Sequence, residues 1–248
     1  MKIQQLIKNK LAREAAKHKI ADVRIGLGYT AVMLENMQTG LAGTPLSHLR
    51  SCCTVFDAML PLTGRKASDL LDLLTSDAPL ETAVGLATAN ALTNQPSPSQ
   101  NTGDVLNLLT FSPEDRVAMV GNFAPMIGPV KSTGALLTIF EQIDSPEGEL
   151  RPASEIPALL PKCTVCLLTA TTVINHTFDE IINSASECRS VVLLGASTPL
   201  IPEIFTHTPV SLLSGVIVTK PKEILHIVSC GGGMQRFKNV IKKVNLAV

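Results

Sequence analysis

Residues 163–180 read CTVCLLTATTVINHTFDE. The run 164–168 is short and apolar, the pattern of a strand buried on both faces. It gives way at once to a polar loop, 169–177. A helix is then predicted over 177–188, with Thr177 as N-cap and Asp179 and Glu180 in the first turn, where acids complement the helix dipole. The same kind of apolar run recurs at 116–120, 136–140, 190–194 and 210–213. Helical candidates lie between the runs, one of them starting at Ser197-Thr198-Pro199. Alternation of buried strands with helices predicts an α/β fold built on a doubly wound parallel sheet. Two closing helices are expected over 221–229 and 234–244, flanking the triple glycine Gly231 to Gly233.

Upstream of 103 the pattern differs. Ile3, Leu6, Ile7, Leu11 and Ala15 fall at helical spacing, so an amphipathic first helix is expected. Strand-like runs at 22–27 and 30–35 meet through Gly28-Tyr29 as a hairpin, and 41–44 supplies a third strand. Helices follow over 68–74 and 79–92, with Ser68 and Asp77 as N-caps. A meander followed by helices is a small α+β unit. The eleven residues TNQPSPSQNTG, 93–103, read as a linker. The expected division is therefore 1–94 and 103–248.

Composition narrows the function. The 248 residues are 45% hydrophobic and carry 21 basic and 21 acidic side chains, so no net charge steers a polyanion. One Tyr, seven Phe and no Trp leave few platforms for stacking bases. Nucleic acid is not expected as a partner. The longest apolar stretches fall well short of the roughly 20 residues of a spanning helix, and the basic N-terminus lacks the apolar run of a secretory signal. The expected location is the cytoplasm, with reduced thiols. Cys163 and Cys166 form a C-x-x-C inside an apolar run and read as core; Cys52 and Cys53, with His48 nearby, are a loose metal-type cluster without a second pair at zinc spacing.

In an open α/β sheet, ligands bind beyond the carboxyl ends of the strands. The segments there are Gly121-Asn-Phe-Ala-Pro125, Thr169 through Thr177, Gly195-Ala-Ser197-Thr198-Pro199 and Ser214-Gly215. Glycines allow close backbone approach, and hydroxyls and amides donate hydrogen bonds, a composition suited to a phosphate, carboxylate or other oxyanion; each loop alone also reads as caps and turns. The stretch GNFAPMIG does not match the dinucleotide fingerprint, and neither a P-loop nor a G-x-S-x-G elbow occurs, so no classical NAD or ATP cofactor is expected. His176 is placed to ligate a metal or shuttle a proton, or to cap a helix. Glu141, and beyond it Glu149 with Arg151, are candidates for acid, base or anion clamp. His207 and His226 read as structural or surface residues.

The segments GDVLNLLTFSPEDRVAMVGNFAPM, GALLTIFE, CTVCLLTATTVINHTFDEII, VVLLGASTPLIPEIF, SLLSGVIVT and VSCGGGMQRFKNVIKKVNL resemble a family of bacterial and archaeal proteins described as "putative heavy-metal chelation". IGLGYTAVMLENMQTGLAGT is similar to the unit that precedes it in that family. The resemblance implies an enolase N-terminal-like α+β domain followed by a Rossmann-like domain, with a site in the cleft between them. It also implies site positions at Tyr29, Thr30, Gly121, Phe123, Pro125, Thr171, Thr172, Asn175, His176 and Thr177. Gly195, Ser197, Thr198, Pro199, Ser214, Gly215 and the triple glycine complete the set, with Thr169 beside them. The only cysteine in these motifs outside an apolar strand is Cys230, which joins His176 as a candidate ligand for a divalent or heavy metal.

Three functions fit these residues. One is a protein that binds a small anionic or metal-complexed ligand in the cleft. Another is an enzyme acting there on a nucleotide-like or adenosyl-containing molecule, with His176 or Glu141 in acid/base work. The third is a non-catalytic scaffold; a homodimer is the expected assembly.

Overall fold

The computed structural model describes residues 1–45 and 55–248. His48, Cys52 and Cys53 lie outside the described residues.

The first unit opens with α1 (Ile3–Ala15), whose buried face of Ile3, Ile7, Leu11 and Ala15 follows the four-residue spacing of a helix. The meander β1 (Ile20–Ile25), β2 (Tyr29–Leu34) and β3 (Thr39–Gly43) is antiparallel in the order β1-β2-β3. Helices α2 (Ala67–Leu71) and α3 (Pro79–Thr93) follow. Every residue of α3 from Leu80 to Leu92, Glu81 excepted, is buried. That packing depends on small side chains. A Cβ on Gly40 of β3 would overlap the backbone at Ala87 and Ala91 of α3, so the strand lies directly on the helix.

The second sheet has eight strands. They are β4 (Asn101–Thr102), β5 (Arg116–Val120), β6 (Leu136–Glu141), β7 (Leu150–Pro152), β8 (Val165–Thr169), β9 (Ser190–Leu194), β10 (Val210–Val218) and β11 (Ile241–Ala247). Their order is β4-β11-β10-β9-β8-β5-β6-β7. The six strands from β10 to β7 are parallel, and the order reverses between β5 and β8. This is the 3-2-1-4-5-6 arrangement of a Rossmann-like fold, whose ligand crevice forms at the reversal. Helices α4 (Ala124–Ser132), α5 (Ile156–Leu159), α6 (Phe178–Ser184), α7 (Pro221–Ser229) and α8 (Met234–Phe237) complete the chain.

Several local expectations are corrected. The closing helix over 234–244 is only α8; the chain then turns into β11, which pairs antiparallel with β10 and in turn with β4. Val240, Ile241 and Val244 mimic helical spacing, but β-branched residues suit the open edge that β10 offers. No helix starts at Ser197: Ala196 and Ser197 form a turn, and residues 198–201 lead without helix to a second short turn, Pro202–Ile204, because the C-terminal end of α3 holds their backbone. The side chain of Asn94 donates to Thr198 O (3.0 Å) and Val216 O (3.2 Å), and accepts from Leu200 N–H (3.0 Å). Helix α6 ends at Ser184, four residues early, and the N-caps of α2 and α3 are Lys66 and Ala78.

The two sheets share cores. Ile3, Ile7 and Leu11 of α1 belong to one buried cluster with Phe178, Leu200 and Phe205. On its opposite face, the meander packs Ala31 and Leu41 against Val216, Ile224, Val228 and Phe237. The meander thereby stands over the carboxyl edge of the parallel strands.

Candidate functional site

At the strand reversal the chain leaves β5 through Gly121, whose φ of +90° lies in the region that favours glycine. A Cβ there would stand 3.0 Å from Thr169 Cγ2, so Gly121 also lets the β5 and β8 exits approach each other. Gly195, after β9, has φ +110°. Three adjoining cavities run along this edge, of about 280, 460 and 390 Å3. The first lies over the exits of β5, β6 and β8, with α5 and α6 behind it. The second is closed from above by Gly28, Tyr29, Gly43, Thr44 and Pro45 of the meander. The third lies between α4, β10 and α8.

The structure brings most of the sequence-predicted residues to this crevice. Phe123 lines all three cavities, Thr169, Thr171, Asn175 and Glu141 line the first two, and Gly121, Thr172 and Thr177 the first. Tyr29 and Gly195 line the second and third, Ser197 the second, and Pro125, Ser214 and Gly215 the third. Within the wall, Thr169 Oγ1 and Thr171 Oγ1 share a hydrogen bond of 2.9 Å. Asn175 Oδ1 accepts from Thr177 Oγ1 at 2.8 Å, and among the described residues its Nδ2 has no protein acceptor. Ser197 Oγ accepts from Gly43 N–H at 2.8 Å, which ties the meander to the β9 loop. Burial pushes the Tyr29 phenol above its ordinary value.

Other predicted residues stand elsewhere. His176 lines none of the three cavities: at φ +60° its ring turns toward α3, where Nε2–H donates to Ser76 O at 2.9 Å. That bond fixes the tautomer and leaves Nδ1 buried without a partner. Thr30 is buried with Oγ1 3.1 Å from Thr44 Oγ1. Thr198 and Pro199 are buried under α3. Cys230 is exposed at the end of α7, with Sγ 3.9 Å from His226 Nε2, apart from His176. The triple glycine borders Leu27, Ile227 and Tyr29 and lines none of these three cavities. Glu149 pairs with Lys131, and Arg151 reaches Glu155 at 4.0 Å.

Sequence reasoning missed Asn122, Gln142, Thr44 and Glu180 in the lining. The first two had a usable signal, since Gln142 directly follows β6 and Asn122 stands two residues beyond β5. It also missed Asn90, whose Nδ2 donates to Leu41 O (2.8 Å) and Ser197 O (3.1 Å). Asn90 near the end of α3 and Asn94 at its C-cap, four residues apart, were the trace of that stitch.

Residues 104–247 match the family model DUF364, described as "putative heavy-metal chelation". The chain belongs to the DUF364 family. Residues 8–93 match a second model, DUF4213, of the same description. The chain is 24% identical over 249 residues to an uncharacterized protein of Methanocaldococcus jannaschii, covering 97% of this chain and 94% of that one. The fold of the present chain is similar to that of a DUF364 protein of unknown function from Pyrococcus horikoshii, with a TM-score of 0.87 at 22% identity over 99% of both chains. A DUF364 protein of unknown function from Desulfitobacterium hafniense superposes with a TM-score of 0.81 at 21% identity, over 99% of this chain and 97% of the other.

The DUF364 description directs attention to metal donors. Soft metals select thiolates. Among the described residues no three His, Cys, Asp or Glu side chains gather into a metal-holding group. Cys163, Cys166 and Cys188 are buried, and burial pushes their thiols up, Cys188 to about 11, which disfavours the ligating form. The described crevice, a wall of hydroxyls, amides and the carboxylates Glu141 and Glu180, does not fit a soft metal held directly. It also departs from the expected anion site. No Lys or Arg is among the described residues lining the first two cavities, and Lys243 in the third is 3.4 Å from Asp104 Oδ2.

Proposed function

We propose that the chain binds a hydroxyl-bearing organic ligand, neutral or cationic, in the crevice between units 1–94 and 103–248. The observation that carries this reading is the charge and chemistry of the first two cavities: hydroxyls and amides surround Glu141 and Glu180 without a basic residue among the described lining. Uncompensated oxyanions are repelled there, whereas O–H and N–H donors meet open acceptors. A metal enters this picture as cargo, carried by the ligand's own donor atoms, which reconciles the family description with a wall poor in thiolates. Among the described lining residues no hydroxyl is hydrogen-bonded to a histidine or carboxylate, the pairing that activates a nucleophile, so binding is favoured over hydrolysis.

The test is a thermal-shift screen of the whole chain and of Thr171→Val. Polyols, ribonucleosides, hydroxylated amines and their metal complexes are set against phosphate, sulfate and bare metal ions. A ligand at a hundred times its Kd adds about 2.7 kcal/mol, enough to read as a shift in Tm. A hydroxylated neutral or cationic ligand is expected to raise Tm in the wild type and less in Thr171→Val. Stabilisation by phosphate or sulfate alone would overturn the reading.

A further inference from the structure

We propose that Glu141 holds the vicinal diol of a ribosyl group, so that the ligand of the crevice is a nucleoside-type molecule without a diphosphate against the β5–α4 loop. This rests on the crevice reading above and adds the ligand's class and its anchor.

Position is the first support. Glu141 is the last residue of β6, the strand beside β5, and comes twenty residues after Gly121, where β5 ends. In sheets of this strand order, an acid about 20 residues beyond the glycine turn accepts from ribose hydroxyls.

Hydrogen bonding is the second. Glu141 Oε2 accepts from the Asn122 N–H at 3.1 Å and Oε1 from the Gln142 N–H at 2.9 Å. These bonds fix the carboxylate across the β5 and β6 exits yet use one acceptor position on each oxygen. A carboxylate has about four such positions. Among the described residues no Lys, Arg or His forms an ion pair with it, and it lines both the first and the second cavity. Two adjacent hydroxyl donors on one ring edge match two fixed, half-used oxygens.

The loop supplies the third. A dinucleotide fold places a second glycine where Phe123 stands, so that backbone can approach the diphosphate. Here the Phe123 side chain occupies the crevice, and Pro125 at the start of α4 has no N–H to offer. With Glu141 and Glu180 nearby and no Lys or Arg among the described lining of the first cavity, a diphosphate there meets hydroxyl and amide donors but no compensating charge, and Lys243 in the third cavity is held 3.4 Å from Asp104 Oδ2. Beyond Glu141, Phe140, Ala153, Ile156 and Pro157 give the first cavity apolar walls suited to a base.

The experiment is calorimetric titration of the full chain with adenosine, guanosine, cytidine and uridine. Their 2′,3′-dideoxy counterparts and 5′-diphosphates are titrated alongside, against wild type and Glu141→Gln. At least one ribonucleoside is expected to bind, with its dideoxy form and its diphosphate at least tenfold weaker, and with a tenfold loss in Glu141→Gln. The dideoxy comparison needs no variant, so a folding defect in Glu141→Gln leaves the test intact. Equal binding of the dideoxy form overturns the diol assignment; if that binding also weakens in Thr171→Val, the crevice reading survives. Failure of every ribonucleoside while a polyol or hydroxylated amine binds likewise overturns only the nucleoside class. Failure of all of them overturns both.

Discussion

Asp115 sits before β5, at the end of the sheet opposite the crevice, and is 5% exposed. The Arg189 guanidinium donates to it at 2.8 Å, and the Thr164 hydroxyl and Ser112 N–H add further bonds at 2.7 and 2.8 Å. Led by Arg189, these hold its carboxyl well below the usual range, against the opposing pull of burial. A depressed folded-state pKa contributes stability above the unfolded value, about 3.9, and loses it as pH falls below that. Urea midpoints measured from pH 7 down to pH 2 should therefore drop below about pH 4 in the wild type. Asp115→Asn should be less stable at pH 7 and show a shallower acid limb. The thiols give a second prediction at this scale. Cys163, Cys166 and Cys188 are buried and shifted up, whereas Cys230 is exposed. Alkylation of the native protein near neutral pH, mapped by mass spectrometry, should label Cys230 and spare the other three until denaturant is added. Cys163 and Cys166 were legible as core from their apolar run; His176 and Cys230 stood out by residue type and by their place in the strand-end loop and the glycine motif, which do not tell where a side chain points.

At the scale of elements, the contact between β3 and α3 sets the height of the meander over the crevice. Gly40→Ala would push a methyl group into the α3 backbone at Ala87 and Ala91, which no side-chain rotamer can relieve. The expected cost is about 1–3 kcal/mol or more in a urea melt, with weaker ligand binding because Gly43 ends the same strand and Thr44 follows it into the second cavity. Five of the six parallel strands were legible because each is a short apolar run that needs no partner to be recognised; β7, three residues with Arg151 at its centre, was not. The closing strand β11 was not, since the edge that recruits it, β10, lies about thirty residues away and local spacing favours a helix. The loop after β9 was misread for a related reason: Asn90 and Asn94, a hundred residues upstream, satisfy its backbone. The strand-end loops were legible as a site because topology sends them to one edge. That the described lining of the first two cavities holds no Lys or Arg could be seen only once it was assembled.

For the molecule as a whole, β2 and β3 of the meander are covered on both faces, by α1 and α3 on one side and by α7 and α8 on the other. Ile3 N–H donates to Asp179 Oδ1 at 3.2 Å and Gln4 Nε2 to Val173 O at 2.7 Å, so even α1 is tied to the second sheet. Units that share cores lose them together. Scanning calorimetry should show one endotherm with matching calorimetric and van't Hoff enthalpies; two separable transitions would contradict the shared cores. Among the described residues no helix is long and apolar enough to cross a membrane. Tyr29, at the mouth of the second and third cavities, packs edge-on to Phe237 at 5.1 Å and is the only tyrosine in a chain without tryptophan. The tyrosine emission of the folded protein thus arises from one ring at the crevice entrance, and the arrival of any ligand that covers it can be followed optically, without a label.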